Sequence, residues 1–195
     1  MIHAILMYDA ALVEKFNTLV GHGIFLDAVI KICATYLIYL VPIILIGCWI
    51  YSRHSKAPAL QMGLAAVFTW LIFDKLFSAY IWYRPRPYSN SAISVNELIF
   101  HRPDYSFPSD HASVLMALAV SAWLLGFKKL GWWLLALMFV IGITRIIIGV
   151  HYPLDVIGGI IAGTLGALII NLLKRPLTKY IYNPVIQLAQ KLHLA

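Results

Sequence analysis

The sequence predicts an all-α membrane protein: a polytopic bundle of about five transmembrane helices with an amphipathic helix at each end. Three observations carry that expectation. The 195-residue chain is 62% hydrophobic with a mean hydropathy of +0.83, a composition foreign to soluble domains. Only 12% of its residues are charged, and much of the basic charge falls in short segments between apolar runs. Those runs reach the ~20 residues that a membrane-crossing helix needs. The formal net charge of +7 comes without a basic stripe of interleaved aromatics, so no nucleic-acid partner is expected.

From about Met7 to Val20, Leu12, Val13, Phe16, Leu19 and Val20 recur at helical spacing with Asp9, Lys15, Asn17 and Thr18 between them. This predicts an amphipathic helix at the membrane interface. The amino terminus has neither a basic n-region nor a small-residue cleavage site, so no cleaved signal peptide is expected. A first span runs from about Ile24 to Tyr51 and ends at Ser52-Arg53-His54-Ser55-Lys56, with Pro58 restarting the chain. A second covers about Ala59 to Tyr83 and contains Asp74 and Lys75, which a bilayer tolerates only against protein or water. The longest polar stretch, Arg84 to Asp110, follows. A third span covers about His111 to Phe127, and a Lys128-Lys129 turn leads to a fourth from about Leu130 to Val150.

The fifth span covers about Pro153 to Leu173. Pro153 suits the first position of a helix, where its missing N–H costs nothing. Gly158, Gly159, Ala162, Gly163 and Gly166 allow neighbouring helices to come close. After Lys174-Arg175-Pro176, Val185, Ile186, Leu188, Ala189 and Leu192 predict a second amphipathic helix. No repeat or linker divides the chain, so one domain over 1–195 is expected, with the motif-bearing core at about 74–166. Cys33 and Cys48 fall on the first span roughly 22 Å apart, too far to pair, and are expected as buried thiols. No Cys/His spacing resembles a zinc site, and neither metal nor cofactor is expected.

Five spans put the short loops holding Arg53/Lys56, Lys128/Lys129 and Lys174/Arg175 on one side, which the positive-inside rule makes cytoplasmic. The Arg84–Asp110 loop and the Gly149–Pro153 turn then meet on the outer face. Arg84, Arg86 and Arg102 run against that rule but cluster beside histidines.

Three segments on that face carry chemistry. In Gly142–Asp155, Arg145 and His151 are separated by five residues, and His151 and Asp155 by three. Arg145 is a cation within apolar sequence, and Asp155 stands one helical turn beyond His151, able to reach back to its ring. A cation, a histidine and an orienting carboxylate suit attack on an anionic group, although they also suit a salt bridge pinning two helices. In Phe107-Pro108-Ser109-Asp110-His111, Ser109 is placed as an N-cap, leaving the N–H groups of Asp110 and His111 at a helix start, a natural phosphate site. Taken alone, the same residues could be only a helix cap. Arg84-Pro85-Arg86-Pro87 sets two cations on a stiff backbone. Guanidinium groups match phosphate oxygens, and two histidines can divide the roles of nucleophile and proton donor. Glu97, His101 and Arg102 read as loop solvation.

Together the three segments resemble the motifs of the type 2 phosphatidic acid phosphatase superfamily, which shares its site with vanadium haloperoxidases. The third motif matches as Thr144-Arg145, His151 and Asp155, with Thr144 where Ser is usual. The second is Pro108-Ser109-Asp110-His111, with Asp110 where the broader family mostly has Gly. The first departs furthest. With Arg86-Pro87 as its Arg-Pro pair, Ala79 takes the usual lysine position and Lys75 lies four residues earlier; Arg84-Pro85 leaves the spacing two residues too long. The short length, Arg-Pro-Arg-Pro-Tyr, Phe-Pro-Ser-Asp-His and Gly-Val-His-Tyr-Pro-Leu-Asp look most like bacterial undecaprenyl pyrophosphate phosphatases of the bacitracin-resistance type.

The resemblance implies a metal-free, two-step phosphatase in a bacterial cell membrane, with its site facing outward and a polyprenyl diphosphate lipid as substrate. His151 is then the nucleophile, Asp155 orients it, and His111 protonates the leaving group and activates water. Arg86, Arg145, Ser109, Asp110 and, by extension, Arg84 and Lys75 hold the phosphate. Two alternatives stand beside this: the same chemistry on phosphatidylglycerol phosphate or phosphatidic acid, and a non-catalytic lipid or anion transporter. A transporter would have no need of two histidines and an orienting Asp155.

Overall fold

The computed structural model describes residues 2–51, 55–99 and 105–193; Arg53, His101, Arg102 and Asp104 lie outside the described residues. The described residues are mostly helical, apart from the long connection between Tyr80 and Asp110, which holds one isolated antiparallel bridge, Pro85 to Tyr105. Helix α1 (Ile2–Asn17) is amphipathic, but two of its polar residues, Asp9 and Asn17, point inward while Glu14 and Lys15 are exposed. Tyr8, Leu12 and Phe16 are exposed, whereas Asp9, Val13 and Asn17, one face at four-residue spacing, are buried. Beside lipid this is the favourable sense, because buried polar groups find protein partners that hydrocarbon cannot supply.

The segment expected as one first span is two helices, α2 (Ile24–Thr35) and α3 (Leu37–Tyr51), bent by 40°. Pro42 explains the break: it has no N–H for the carbonyl four residues back, and α3 opens with a 3₁₀ turn at Leu37–Tyr39. Cys33 and Cys48 are free thiols, but they are half-buried rather than buried.

Helix α4 (Ala57–Tyr80) starts with Pro58 in its first turn and widens to a π-helix over Trp70–Phe77. The wider turn carries Asp74, which is buried, and Lys75, which is half-buried. Helix α5 (Asp110–Leu124) is the centre of the bundle, packed against α4, α6 (Lys128–Ile147) and α7 (Pro153–Leu172). Leu115, Leu118, Met62, Leu134, Met138 and Ile141 fill the space between these helices. Small residues let α5 and α7 touch backbone to backbone. A Cβ at Gly163 would stand 2.3 Å from the Ser113 carbonyl oxygen. After α7 the chain runs through Lys174–Leu177 and a π-helical turn, Thr178–Tyr182, into α8 (Asn183–Lys191), which keeps Val185 and Leu188 exposed.

Helices α4, α6 and α7 are long and apolar enough to cross a membrane, and the α2–α3 pair makes a fourth crossing if it is one broken span. The remaining expected span, α5, is apolar but has 15 residues, about 22 Å against a hydrocarbon core of about 30 Å. The bundle's outer surface is apolar, with Ile43, Ile46, Ile50 and Ile161 exposed. Aromatic residues gather at both ends, Trp132 and Trp133 near the start of α6 and Tyr80 to Tyr83 after α4. The protein is a multi-pass membrane protein.

Candidate active site

The three motif segments are stitched to one another by backbone hydrogen bonds. Ser106 N–H donates to the Arg84 carbonyl at 2.8 Å, Ser109 N–H to the Asp155 carbonyl at 2.9 Å, and Tyr88 N–H to the Gly149 carbonyl at 3.2 Å. Gly149, at φ +68°, makes the sharp turn from α6 to His151; a Cβ there would run into Val95 as well as a strained backbone. Asp155 closes the start of α7 by accepting the Tyr152 N–H at 2.8 Å. Phe107-Pro108 is joined by a cis peptide bond just before Ser109.

His151 is 1% exposed. Its Nδ1 lies 2.9 Å from the Ser106 carbonyl oxygen. A carbonyl can only accept, so Nδ1 bears the proton and Nε2 of the neutral ring keeps its lone pair. Around Nε2 stand Arg86 Nη1 at 3.3 Å, Arg145 Nη2 at 3.5 Å and Asp110 Oδ1 at 3.7 Å. Arg86 is held by the Val150 carbonyl at 3.2 Å, and Arg145 is anchored across the bundle on the Ala34 carbonyl at 3.5 Å. An unprotonated imidazole nitrogen between two guanidinium groups is set up to meet an electrophile that carries anionic oxygens.

His111 donates from Nδ1 to Asp110 Oδ1 at 2.7 Å, and the same oxygen accepts the His111 N–H at 2.9 Å. Asp110 therefore brings a carboxylate into the cluster, where its backbone N–H alone was expected to act. Ser109 takes the N-cap position but makes no cap bond with its side chain. Its hydroxyl is buried and has no hydrogen-bond partner among the described residues, which suits it to bind a ligand oxygen.

Three expected site residues take other hydrogen-bond or stacking partners. Asp155 Oδ2 stands 3.7 Å from His151 Nδ1 because its two oxygens are taken by Tyr152 N–H and by Arg84; Ser106 supplies the hydrogen bond instead. Arg84 lies behind the histidine, with Nη1 2.7 Å from Asp155 Oδ1 and Nη2 2.6 Å from Asp9 Oδ2. Its guanidinium covers the Tyr152 ring at 3.7 Å. Lys75 Nζ is over the rings of Trp70 and Tyr105, at 5.4 and 5.5 Å.

Two contributors escaped the sequence reading. Ser106 acts through its carbonyl, for which no side-chain signal exists. Asp9 had one signal, a carboxylate within an apolar helical pattern. Burial pushes its carboxyl above the usual range, opposed by the hydrogen bonds from Arg84 and the Leu154 N–H. An apolar groove of about 180 Å³ opens beside the Ser109 loop, between Phe73 and Phe77 of α4, Phe107-Pro108, and Gly158 and Ile161 of α7.

A buried imidazole between arginines, at the head of a membrane helix bundle, is an arrangement suited to phosphate chemistry. The chain belongs to the PAP2 superfamily, whose pattern matches residues 52–179. It is 32% identical over 152 residues to undecaprenyl-diphosphatase BcrC of Bacillus subtilis, covering 76% of each chain. Its fold resembles the crystal structure of LpxE from Aquifex aeolicus at a TM-score of 0.64 and 26% identity, over 82% of this chain and 92% of that one. It also superimposes on a PAP2 type phosphatidylglycerolphosphate phosphatase from Bacillus subtilis at a TM-score of 0.67 and 21% identity, over 91% and 89% of the two chains. The protein is a PAP2 membrane phosphatase.

Proposed function

We propose that this phosphatase hydrolyses undecaprenyl diphosphate to undecaprenyl phosphate and inorganic phosphate, at the outer face of a bacterial cell membrane, recycling the carrier lipid for cell-wall synthesis. The observation that carries the chemistry is His151 Nε2 flanked by Arg86 and Arg145, with Nδ1 turned to the Ser106 carbonyl. The substrate is suggested by the name of the Bacillus subtilis relative. The apolar groove beside Ser109 suits a substrate with a hydrocarbon tail.

His151 Nε2 attacks the terminal phosphorus, and the bond from that phosphorus to the bridging oxygen breaks. His111 gives a proton to the departing lipid phosphate. Nδ1–H of the phosphorylated, now cationic ring stays on the Ser106 carbonyl with Asp155 beside it. His111 then takes a proton from water, the water oxygen attacks the phosphohistidine, and phosphate leaves. Arg86, Arg145, the Ser109 hydroxyl and the Asp110 N–H hold the oxygens on which charge builds. Arg84 and Lys75, directed to other partners, stand outside this set. The Asp110 carboxylate on Nδ1–H supports the cationic His111 ring, whose Nε2 proton is the one given up and then regained from water.

The test is phosphate release by purified protein from undecaprenyl diphosphate, phosphatidic acid and phosphatidylglycerol phosphate, with EDTA present, beside the His151→Ala variant. The expected result is preference for the diphosphate and loss of turnover in a variant that still folds. Preference for a monophosphate lipid would overturn the substrate, and substantial turnover by His151→Ala would overturn the nucleophile.

A further inference from the structure

The polar face of α1 is joined to the site at two places. Asn17 Nδ2 donates to the Ile147 carbonyl at 2.8 Å and the Asn96 carbonyl at 3.1 Å, and its Oδ1 accepts the Asn96 N–H at 2.7 Å. Two turns earlier, Asp9 accepts from the Leu154 N–H at 3.0 Å with Oδ1 and from Arg84 at 2.6 Å with Oδ2. Both residues are at most 4% exposed. A carboxylate so deeply placed on an otherwise lipid-facing helix carries a large desolvation cost, which its two donors offset.

Arg84 is the link between Asp9 and the chemistry. Its side chain grips Asp155, and its own carbonyl holds the N–H of Ser106, the residue whose carbonyl receives His151 Nδ1–H. When Nε2 bonds to phosphorus the imidazole becomes a cation, and the negative charge of Asp155, 3.7 Å from Nδ1, favours that state. The Arg84 guanidinium, 2.7 Å from the other Asp155 oxygen, opposes it. Asp9, on the opposite end of the same guanidinium, cancels that opposition. Two carboxylates against one guanidinium leave one net negative charge behind the histidine. Arg86, Arg145 and Asp110 act on the ring from its other side, at Nε2, and are the same in every Asp9 and Arg84 variant.

Resting on His151 as the nucleophile, we infer that Asp9 is a positioning residue: it neutralises Arg84 so that Asp155 keeps its negative field on the imidazole as the phosphohistidine forms. Helix α1 is thereby part of the enzyme's machinery as well as a membrane-facing element. In a buried setting such a charge acts strongly, because little water screens it.

The experiment compares Asp9→Asn, Asp9→Glu and the double variant Asp9→Asn/Arg84→Gln in detergent. It reads kcat, KM, thermal midpoint and the yield of acid-labile phosphoenzyme. Asp9→Asn removes the net charge behind His151, and kcat is expected to fall about tenfold, the effect of a one-unit change in ring basicity, with KM little altered. Asp9→Glu retains the charge and should keep most of the rate. The double variant again has one net negative charge, on Asp155, and should be faster than Asp9→Asn despite carrying one more substitution. A structural role would change the rate only in step with the thermal midpoint.

A native kcat in Asp9→Asn with only a lowered thermal midpoint would overturn the inference, as would a double variant slower than the single one. Should Asp9→Asn fail to fold, the double variant, which leaves no unpaired buried guanidinium, must turn over at a rate comparable to the native chain, or the inference fails. His151→Ala runs alongside. Turnover by that variant would remove the nucleophile itself, a result separate from any effect at Asp9.

Discussion

Gly159→Ala measures how far the chemistry depends on the close approach of α5 and α7. A Cβ at Gly159 would lie 2.6 Å from the Ser109 carbonyl oxygen, 2.8 Å from Ala112 Cβ and 3.0 Å from the Ser113 nitrogen. Ordinary contact begins at 3.4 Å, so the nearest atom must retreat by about 0.8 Å. That atom is backbone and cannot swing aside. The retreat separates Ser109 from Asp155, whose carbonyl receives the Ser109 N–H at 2.9 Å. Overpacking of this kind costs about 1–3 kcal/mol of stability. A displacement near 1 Å at a phosphate-holding residue costs about a hundredfold in rate. Gly47→Ala is the control, since nothing stands within 4 Å of a Cβ at that position. Phosphate release and thermal midpoint in detergent read both effects. If Gly159→Ala kept the native rate and midpoint, the contact would not be tight and Ser109 would not be held by α7.

Two further outcomes are expected. Lys75→Met should leave kcat close to native and lower stability by about 0.5–1 kcal/mol, the worth of its stacking over Trp70 and Tyr105; a tenfold loss of rate would return Lys75 to the phosphate site. With Cys33 and Cys48 replaced, a single cysteine at exposed Ser91 should react with an impermeant maleimide in intact cells and one at exposed Ser55 should not; the reverse pattern would put the chemistry in the cytoplasm.

Much of the fold was legible because a bilayer imposes simple rules. Apolar runs of sufficient length marked α4, α6 and α7, and Pro153 marked the start of α7 to the residue. The first span was read too simply. Its composition is largely apolar, and only Pro42 signalled that the chain would break into α2 and α3. The inward turn of α1 was not legible either. A helix with an apolar and a polar face looks the same in sequence whether its polar face meets water or protein. What decides between them is a partner far away in the chain: Arg84 for Asp9, and the Ile147 and Asn96 carbonyls for Asn17.

The site shows the same division between what a motif states and what only a fold can state. Motif spacing brought His111, His151, Arg86, Arg145, Ser109 and Asp110 to one end of the bundle, because each lies at a helix end or in a short turn whose geometry is local. Which partner each side chain takes is a competition that spacing does not resolve. Asp155 lies one turn from His151, yet its oxygens go to the Tyr152 N–H at 2.8 Å and to Arg84 at 2.7 Å, both shorter than its 3.7 Å separation from the ring. Arg84 and Arg86 are two residues apart, a spacing that would put them on one face of a regular strand, yet their guanidinium groups take different partners. Arg86 reaches the face of the chemistry and Arg84 goes behind it, where Asp9 and Asp155 wait. Under the proposed mechanism the paired Arg-Pro units are two devices: one cation for the substrate and one for the carboxylates Asp9 and Asp155.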